Sequence, residues 1–196
     1  MTLPRSPELM RPADTGLLVI DVQNRLLAVQ PERKRIVWNI RRLLDGAKIL
    51  GVRSACTEQV PEKLGPTEAS LTERLTAPAE SKVTFSCGSC GEIFGTWRDL
   101  GIHRVLVTGI ETHVCVQQTV LDLLAAGFQV LVAVDAVGSR NAIDHDIALR
   151  RLESSGALLT TTEAALFEWC EVAGTAEFKA ISALAKERIG VVPHRK

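Results

Sequence analysis

The feature that most constrains the fold of this chain is an alternation of short, β-branched apolar runs with longer amphipathic segments. Short apolar runs of this kind are typical of strands that are buried on both faces. The longer segments between them predict crossover helices, because parallel strands need long connections. The sequence therefore predicts an α/β fold, a doubly wound three-layer α/β/α domain with a six-stranded, mostly parallel sheet. The predicted strands are residues 16–21, 52–57, 82–86, 104–109, 129–135 and 157–160.

Three of the intervening segments carry helical signals. Residues 31–50 place apolar side chains along one stripe and leave arginines for solvent, which indicates a surface helix. Residues 116–126 are more uniformly apolar and end at a glycine, which predicts a buried helix. Residues 141–155 carry aspartates early and arginines late, the order that a helix dipole favours. Residues 58–80 contain three prolines and predict a long loop with one helical turn near residues 71–75.

Charge and cysteine content limit the possible partners and compartments. Lys plus Arg number 23 and Asp plus Glu number 23, so the net charge is zero and no overall field attracts nucleic acid or an anionic membrane. No apolar run approaches the roughly 20 residues of a membrane helix, and the start of the chain lacks the apolar centre of a secretory signal. The five cysteines fit a reducing cytoplasm better than a disulfide framework. We expect a cytoplasmic protein that acts on a small molecule.

The length predicts a single domain, because 196 residues are enough for one sizeable core. Its expected bounds are residues 15–172, preceded by a loose N-terminal arm at residues 1–14 and followed by a helical tail at residues 173–196. The tail either packs on a neighbouring subunit or folds back on its own domain. Its apolar stripe consists of Phe178, Ile181, Leu184 and Ile189.

Three reactive side chains are candidates for a site at the end of the sheet, where doubly wound folds bind ligands. Asp21 ends the first apolar run, Lys82 begins the third, and Cys115 follows the fourth at the first turn of the buried helix. Each has an ordinary alternative role, as a turn former, a solvated charge or a small apolar residue. Together they predict an activated cysteine, since a helix N-terminus and an ammonium both lower the pKa of a thiol. The tight connection before the cysteine also offers backbone N–H groups for an oxyanion.

Three stretches of the sequence resemble the isochorismatase-like cysteine hydrolases, a family that includes nicotinamidases and carbamoylsarcosine amidases. They are LLVIDVQN near the start, KVTFS, and VTGIETHVCVQQTVLDLLAAGFQVLVAVDAVGSR. The resemblance implies a triad in which Asp21 takes the thiol proton, Lys82 holds the charged pair and Cys115 attacks the substrate carbonyl. It also implies a cis peptide bond between Ile110 and Glu111, which aims the N–H groups of Glu111 and Cys115 at the oxyanion.

The resemblance covers about residues 15–170, but the chain departs from the family pattern after the second strand. Nicotinamidases carry an Asp-x-His metal motif there, whereas this chain reads CTEQVP at residues 56–61. We therefore expect no metal and no other cofactor. True isochorismatases do not require the cysteine, so its presence favours hydrolysis of a small amide or carbamoyl-type C–N bond through a thioester. The side chains predicted to line the substrate pocket are Gln23, Thr57, Gln59, Phe85 and His113.

Three other functions stay open at this point. They are hydrolysis of an isochorismate-like ether, a catalytically silent binding or regulatory role, and thiol redox chemistry by Cys87 and Cys90. The spacing of these two cysteines also occurs in zinc knuckles, but the sequence has no second pair to complete four ligands. The resemblance further implies a homo-oligomer.

Overall fold

The computed structural model, which describes residues 3–189, contains six strands: β1 (Thr15–Ile20), β2 (Arg53–Gln59), β3 (Glu80–Lys82), β4 (Arg104–Ile110), β5 (Gln129–Gly138) and β6 (Leu158–Thr160). They form one sheet in the order β3-β2-β1-β4-β5-β6, and every neighbouring pair is parallel. The chain starts at the centre, runs to one edge and returns to the other side of β1. The predicted doubly wound α/β class is confirmed, and its switch point lies between β1 and β4.

Helices cover both faces of this sheet. They are α1 (Asn24–Ala28), α2 (Arg33–Leu50), α3 (Pro61–Leu64), α4 (Ala69–Thr72), α5 (Gly91–Asp99), α6 (Gln117–Ala125), α7 (Ala142–Ser154), α8 (Thr162–Cys170) and α9 (Ala176–Lys186). Buried residues of α2, α8 and α9 share one apolar core, and those of α5, α6 and α7 share another on the opposite face. The result is three layers. Within residues 3–189, every helix is too short or too polar to cross a membrane.

The two central strands approach each other closely where the crevice begins. Both β1 and β4 are buried along their whole length, and Gly109 of β4 pairs with Ile20 of β1. The φ angle of Gly109 is 118°, and a Cβ atom there would lie 2.1 Å from the carbonyl oxygen of Ile20. Only glycine fits both the left-handed backbone and the neighbouring strand. The residues that follow the two strands are thereby placed side by side.

The third strand differs from its prediction. The structure ends β3 at Lys82, whereas the sequence predicted a strand over residues 82–86. The chain bends after this lysine because the carbonyl groups of Thr84 and Phe85 turn to accept hydrogen bonds from its ammonium. A local polar interaction therefore overrides the β propensity of the KVTFS run.

The segment predicted as a loop with one helical turn contains two short helices, α3 and α4. Pro61 stands at the first position of α3, where its missing N–H costs no hydrogen bond. The side chain of Glu68 accepts a hydrogen bond from the backbone N–H of Ser70 and so caps α4. The predicted turn near residues 71–75 lies slightly too late in the chain.

The N-terminal arm is fixed to the domain, although the sequence predicted a loose segment. Met10 is fully buried in the core that α2 and α8 share, and its N–H donates to the carboxylate of Glu168 at 2.9 Å. Arg5 donates to the backbone carbonyl of the same glutamate at 2.6 Å. An apolar anchor thus outweighs the proline-rich, irregular character of the arm.

The described part of the tail folds back on its own domain. In α9, Ile181 and Leu184 are buried in the core shared with α2 and α8, and Phe178 packs against it. Ile189, the last residue of the predicted stripe, is half exposed. Residues 190–196 of the predicted tail lie outside the described residues.

Candidate active site

The carboxyl ends of three parallel strands bring Asp21, Lys82 and Cys115 to one corner of the sheet. Asp21 directly follows β1, and Lys82 is the last residue of β3. Cys115 lies in a π-helical turn, Thr112–Val116, between β4 and α6. All three side chains are buried. The structure therefore assembles the three candidates although they are far apart in the sequence.

Asp21 and Lys82 form a buried ion pair. The ammonium of Lys82 donates to Oδ2 of Asp21 at 2.6 Å, and the hydroxyl of Thr57 donates to Oδ1 at 2.8 Å. The backbone N–H of Asp21 also donates to the carbonyl of Thr57 at 3.1 Å. With φ at 51°, Asp21 adopts the left-handed region that aspartate tolerates better than most residues. Its carboxylate is therefore held through both oxygens and through the backbone.

The three N–H bonds of the Lys82 ammonium match three acceptors. Besides Asp21, it donates to the carbonyl oxygens of Thr84 at 3.2 Å and Phe85 at 3.0 Å. Burial, the largest single influence, would lower the pKa of Lys82, but the charge and hydrogen bond of Asp21, together with Cys87 and Cys115, outweigh it and raise the pKa above its ordinary value. Lys82 therefore stays protonated and retains no N–H for a substrate.

The sulfur of Cys115 lies beside this ion pair. Sγ donates a long hydrogen bond to Oε1 of Gln59 at 3.7 Å. Burial raises the pKa of Cys115, the Asp21 carboxylate raises it further, and Lys82 offsets only part of the increase. The predicted lowering of this pKa is therefore wrong, because burial beside a carboxylate outweighs the helix end and the ammonium. Cys115 is a neutral thiol at rest.

The turn that leads to Cys115 contains the predicted cis peptide bond between Ile110 and Glu111. The carboxylate of Glu111 accepts from Nε2 of Gln30 at 3.1 Å and from both the backbone N–H and Nε of Arg140 at 3.0 Å. Burial would raise the pKa of Glu111, but these hydrogen bonds and the Arg140 charge lower it. Sequence reasoning missed this buried anion, since its partners lie 81 and 29 residues away and carry no local signal.

Two of the predicted pocket residues lie behind the site. Gln23 is fully buried, and its amide accepts from the N–H of Gln59 at 2.8 Å and donates to the carbonyls of Gln59 and Gly65. Thr57 is also fully buried against Asp21. Through these hydrogen bonds, both side chains fix the positions of Gln59 and Asp21. Gln59 itself is placed next to the Cys115 sulfur.

The other two predicted pocket residues lie further out. Phe85 is 50% exposed on the bend after β3, and its backbone carbonyl is the part that contacts Lys82. His113 precedes Cys115 by two residues, and its Nδ1 lies 2.9 Å from the hydroxyl of Ser139. Neither side chain has a hydrogen bond with the three candidates among the described residues.

A second thiol adjoins the same corner of the sheet. Cys87 Sγ lies 3.5 Å from the hydroxyl of Thr57, which in turn binds Asp21. The backbone N–H of Cys87 donates to Thr119, and Thr119 donates to the carbonyl of Cys115. In the sequence, Cys87 follows Lys82 closely, which is consistent with a position beside the site.

A cleft of about 320 Å³ borders this corner, large enough for a small ligand. It is lined by Val60, Pro61, Glu62, Ser81, Lys82, Val83, Thr84 and Ser89. Within the described part of the chain, no three His, Cys, Asp or Glu side chains are grouped to hold a metal ion.

Comparisons with known proteins agree with this architecture. A family model described as Isochorismatase domain matches residues 15–164. A protein of Phytophthora sojae named "Secreted isochorismatase effector Isc1" is 35% identical over 185 residues, which cover 92% of this chain and 88% of the relative. The solved structure of the MAR1 ribonuclease from Caenorhabditis elegans is 35% identical with a TM-score of 0.84, and the match covers 96% of this chain and 99% of that one.

A third likeness concerns the fold alone. The YcaC gene product of Escherichia coli, described as an octameric hydrolase of unknown specificity, is 22% identical with a TM-score of 0.82. The match covers 92% of each chain.

Proposed function

Because this chain belongs to the isochorismatase family, a family with a hydrolase fold, we propose that it hydrolyses a small amide or carbamoyl-type C–N bond through Cys115, Asp21 and Lys82. The observation that carries the proposal is the buried Asp21–Lys82 ion pair beside the buried thiol. A carboxylate next to a neutral thiol is a base next to an acid. This arrangement allows the carboxylate to take the thiol proton when the sulfur attacks a substrate.

The reaction begins with proton transfer from Cys115 to Asp21. As Sγ forms a bond to the substrate carbonyl carbon, the thiol proton passes to the carboxylate and the carbonyl oxygen becomes an oxyanion. The backbone N–H groups of Glu111 and Cys115 stabilise this oxyanion. A thiol with a raised pKa delays the proton transfer until the substrate is in place.

The second half of the reaction returns the proton. The carboxyl group of Asp21 donates its proton to the leaving nitrogen as the C–N bond breaks, which leaves a thioester on Cys115 and releases ammonia or an amine. Water then attacks the thioester while Asp21 accepts a proton from it. The C–S bond breaks, the acid departs, and Asp21 returns the proton to the sulfur.

Lys82 acts on the other two residues and not on the substrate. Its ammonium contacts the Asp21 carboxylate before the attack, and its two carbonyl partners hold it in place when Asp21 has accepted the proton. This division of roles follows from the full use of its three N–H bonds.

The experiment that tests the proposal is a screen of small amides, carbamoyl compounds and isochorismate-like ethers with wild-type protein and Cys115→Ala. We expect one amide or carbamoyl substrate to turn over and to leave an acyl adduct on Cys115 that mass spectrometry detects. The variant should lose about 10³-fold or more in rate. A Cys115→Ala variant that retains full turnover of a C–N substrate would refute the nucleophile.

The control variant is Cys170→Ala, which removes a buried thiol from the opposite core. It should keep the rate and the adduct. If only an ether is cleaved, and Cys115→Ala cleaves it equally well, the ether reaction replaces the amide reaction. If no substrate turns over but one binds, the silent binding role replaces both.

Thiol redox chemistry by Cys87 and Cys90 has less support. Burial raises the pKa of Cys87, and it raises the pKa of Cys90 to about 12. A redox-active pair needs an accessible thiolate on one member, and both of these thiols are buried.

The name of the C. elegans structure gives a second candidate function, cleavage of RNA. The balanced charge of this chain offers no general attraction for a polyanion. A labelled single-stranded RNA in the same screen distinguishes the two, since RNA cleavage that Cys115→Ala abolishes would reassign the site to phosphodiester hydrolysis.

The five free, buried cysteines support a reducing compartment, and we place the protein in the cytoplasm, although the Phytophthora relative is named as secreted. A small-molecule substrate and a homo-oligomeric state complete the proposal. Fractionation of cells that express the chain tests the location.

A further inference from the structure

We propose that the outward face of α7 pairs with the same face of a second copy of this chain, with the two helices antiparallel about a two-fold axis at the level of residue 148. This pairing gives the proposed oligomer a specific contact surface. It does not depend on the reaction that the site performs.

The first observation is an apolar stripe on a helix that is otherwise anchored in the core. Ala148 and Leu152 lie on the inner face of α7, and both are buried. Ile143 is 65% exposed and Ile147 is 50% exposed. Residues four apart lie one above the other on a helix, so these two isoleucines form one continuous outward stripe. Exposed β-branched apolar side chains grouped in this way are typical of a surface that another protein covers.

The second observation is the order of charges along the same stripe. Asp146 precedes Ile147 by one residue and Arg150 follows it by three, so both border the stripe, and both are exposed. Within residues 3–189 neither takes part in an ion pair. The face is therefore acidic in its first half and basic in its second half, with isoleucine between.

The order of charges along α7 favours a second copy of the same helix, and it favours the antiparallel direction. A parallel copy would place aspartate against aspartate and arginine against arginine. An antiparallel copy with its axis at the level of residue 148 places Asp146 opposite the partner's Arg150, and symmetry repeats the contact. The axis passes close to Ile147, so the apolar centre of the contact has charged pairs on both sides.

The strand that follows α7 enlarges the surface. α7 has 13 residues, and its outward face supplies only part of the roughly 800 Å² per subunit that a stable interface buries. β6 is an edge strand that contacts α7, and it leaves Leu158 and Leu159 more than one third exposed. An edge with exposed leucines gains from being covered.

Charge reversal with light-scattering detection on a sizing column tests the pairing. The wild type should have at least twice the chain mass at micromolar concentration. Asp146→Arg and Arg150→Asp should each raise the dissociation constant tenfold or more, because each places like charges across the axis. The double variant Asp146→Arg/Arg150→Asp should restore the wild-type dissociation constant. In that variant, the new positive charge at position 146 lies opposite the new negative charge at position 150 of the partner subunit.

The control is Glu92→Arg, a charge reversal at an exposed position of α5 on another part of the surface. It should leave the mass unchanged. Circular dichroism confirms that each variant is folded. A monomeric wild type, single variants with an unchanged constant, or a double variant as weak as the singles would each overturn the proposal.

Cross-linking provides a second test that does not depend on charge. The native cysteines are buried, so an introduced surface thiol is distinguishable. Two copies of residue 147 are offset by roughly 3 Å along the helices, and two copies of residue 143 by roughly 15 Å. Under mild oxidation, Ile147→Cys should form a disulfide-linked dimer and Ile143→Cys should not. The opposite pattern, or linkage of neither variant, contradicts the antiparallel arrangement.

Discussion

The reactivity of Cys115 depends on the charges around it more than on its place before a helix. Burial and the Asp21 carboxylate both raise its pKa, and Lys82 lowers it only in part. In the proposed reaction, a thiol that starts neutral needs a base during each turnover, and we assign this role to the Asp21 carboxylate beside it. Catalysis and simple thiol reactivity should therefore respond in opposite directions when this carboxylate is neutralised.

Asp21→Asn should lower turnover by about 10² to 10⁴-fold, the contribution of a general base. The same change should speed alkylation of Cys115 by iodoacetamide at pH 8, because it removes the charge that raises the pKa and leaves the Lys82 ammonium beside the thiol. Each unit by which the pKa falls gives about tenfold more thiolate. Mass spectrometry of the labelled peptide over time, from pH 7 to 10, measures the rate.

In the wild type, the labelling rate of Cys115 should still be rising at pH 9, the ordinary pKa of a thiol. Asp99→Asn, at the exposed end of α5, is the control and should change neither rate. Slower labelling of Asp21→Asn than of the wild type would show that the carboxylate activates the resting thiol directly.

The convergence of Asp21, Lys82 and Cys115 at one corner of the sheet could be predicted from the sequence, but the sign of the Cys115 pKa shift could not. Strand ends and motif residues are local features of the sequence. Burial is a property of the whole fold, and it reverses the effect expected from a helix N-terminus. The same limit applies to Thr57, because its position in the chain does not reveal that its hydroxyl donates a hydrogen bond to the Asp21 carboxylate.

The close approach of β1 and β4 depends on Gly109. We expect Gly109→Ala to lower the free energy of unfolding by about 3 kcal/mol or more, since a Cβ atom would meet the backbone of Ile20 and the φ angle would be strained. Gly95→Ala is the matched control, because its Cβ meets nothing within 4 Å and the residue lies inside α5. That change should stabilise the protein by about 0.5 to 1 kcal/mol.

Urea unfolding followed by circular dichroism measures both changes. Because the strain lies next to the turn that carries Cys115, Gly109→Ala should also reduce turnover even where the protein remains folded. Equal effects of the two substitutions would show that the contact between the central strands is not the source of the requirement for glycine.

Strands and helices with strong periodic patterns could be predicted, and the short elements could not. The strands β1, β2, β4, β5 and β6 and the helices α2, α6 and α7 begin within about two residues of their predicted starts. β3 is wrong by several residues because hydrogen bonds from Lys82 bend the chain. The helices α3 and α4 depend on single capping residues, which leave little periodic signal.

The whole molecule buries its five thiols in two separate cores, one on each face of the sheet. The two covered faces of the sheet could be predicted, since the central strands β1 and β4 are apolar runs that are buried along their whole length. The attachment of the N-terminal arm could not be predicted, because it depends on contacts with residues far along the chain, such as the hydrogen bond from the Met10 N–H to Glu168. All five cysteines have a raised pKa, so each contributes to the pH dependence of stability at alkaline pH.

Buried thiols should make the protein unstable in alkali. Burial raises the pKa of Cys56 to about 12 from an ordinary 9.0, and it raises the pKa values of Cys87, Cys90, Cys115 and Cys170 as well. A group with a raised folded-state pKa stabilises the protein fully below its unfolded pKa and loses that contribution as pH rises toward the folded value. Cys56 alone should therefore lower the free energy of unfolding by about 1.4 kcal/mol per pH unit above pH 9.

Urea unfolding with excess reductant at pH 8, 9, 10 and 11 measures this dependence. Stability should be nearly constant from pH 8 to just below 9 and then fall steeply. Cys56→Ala should reduce the slope above pH 9 by about 1.4 kcal/mol per unit, because one of the titrating thiols is gone. Val52→Ala, a deletion in the same core, should lower stability at every pH without changing the slope. A slope that Cys56→Ala leaves unchanged would mean that this thiol ionises as readily in the folded protein as in the unfolded chain.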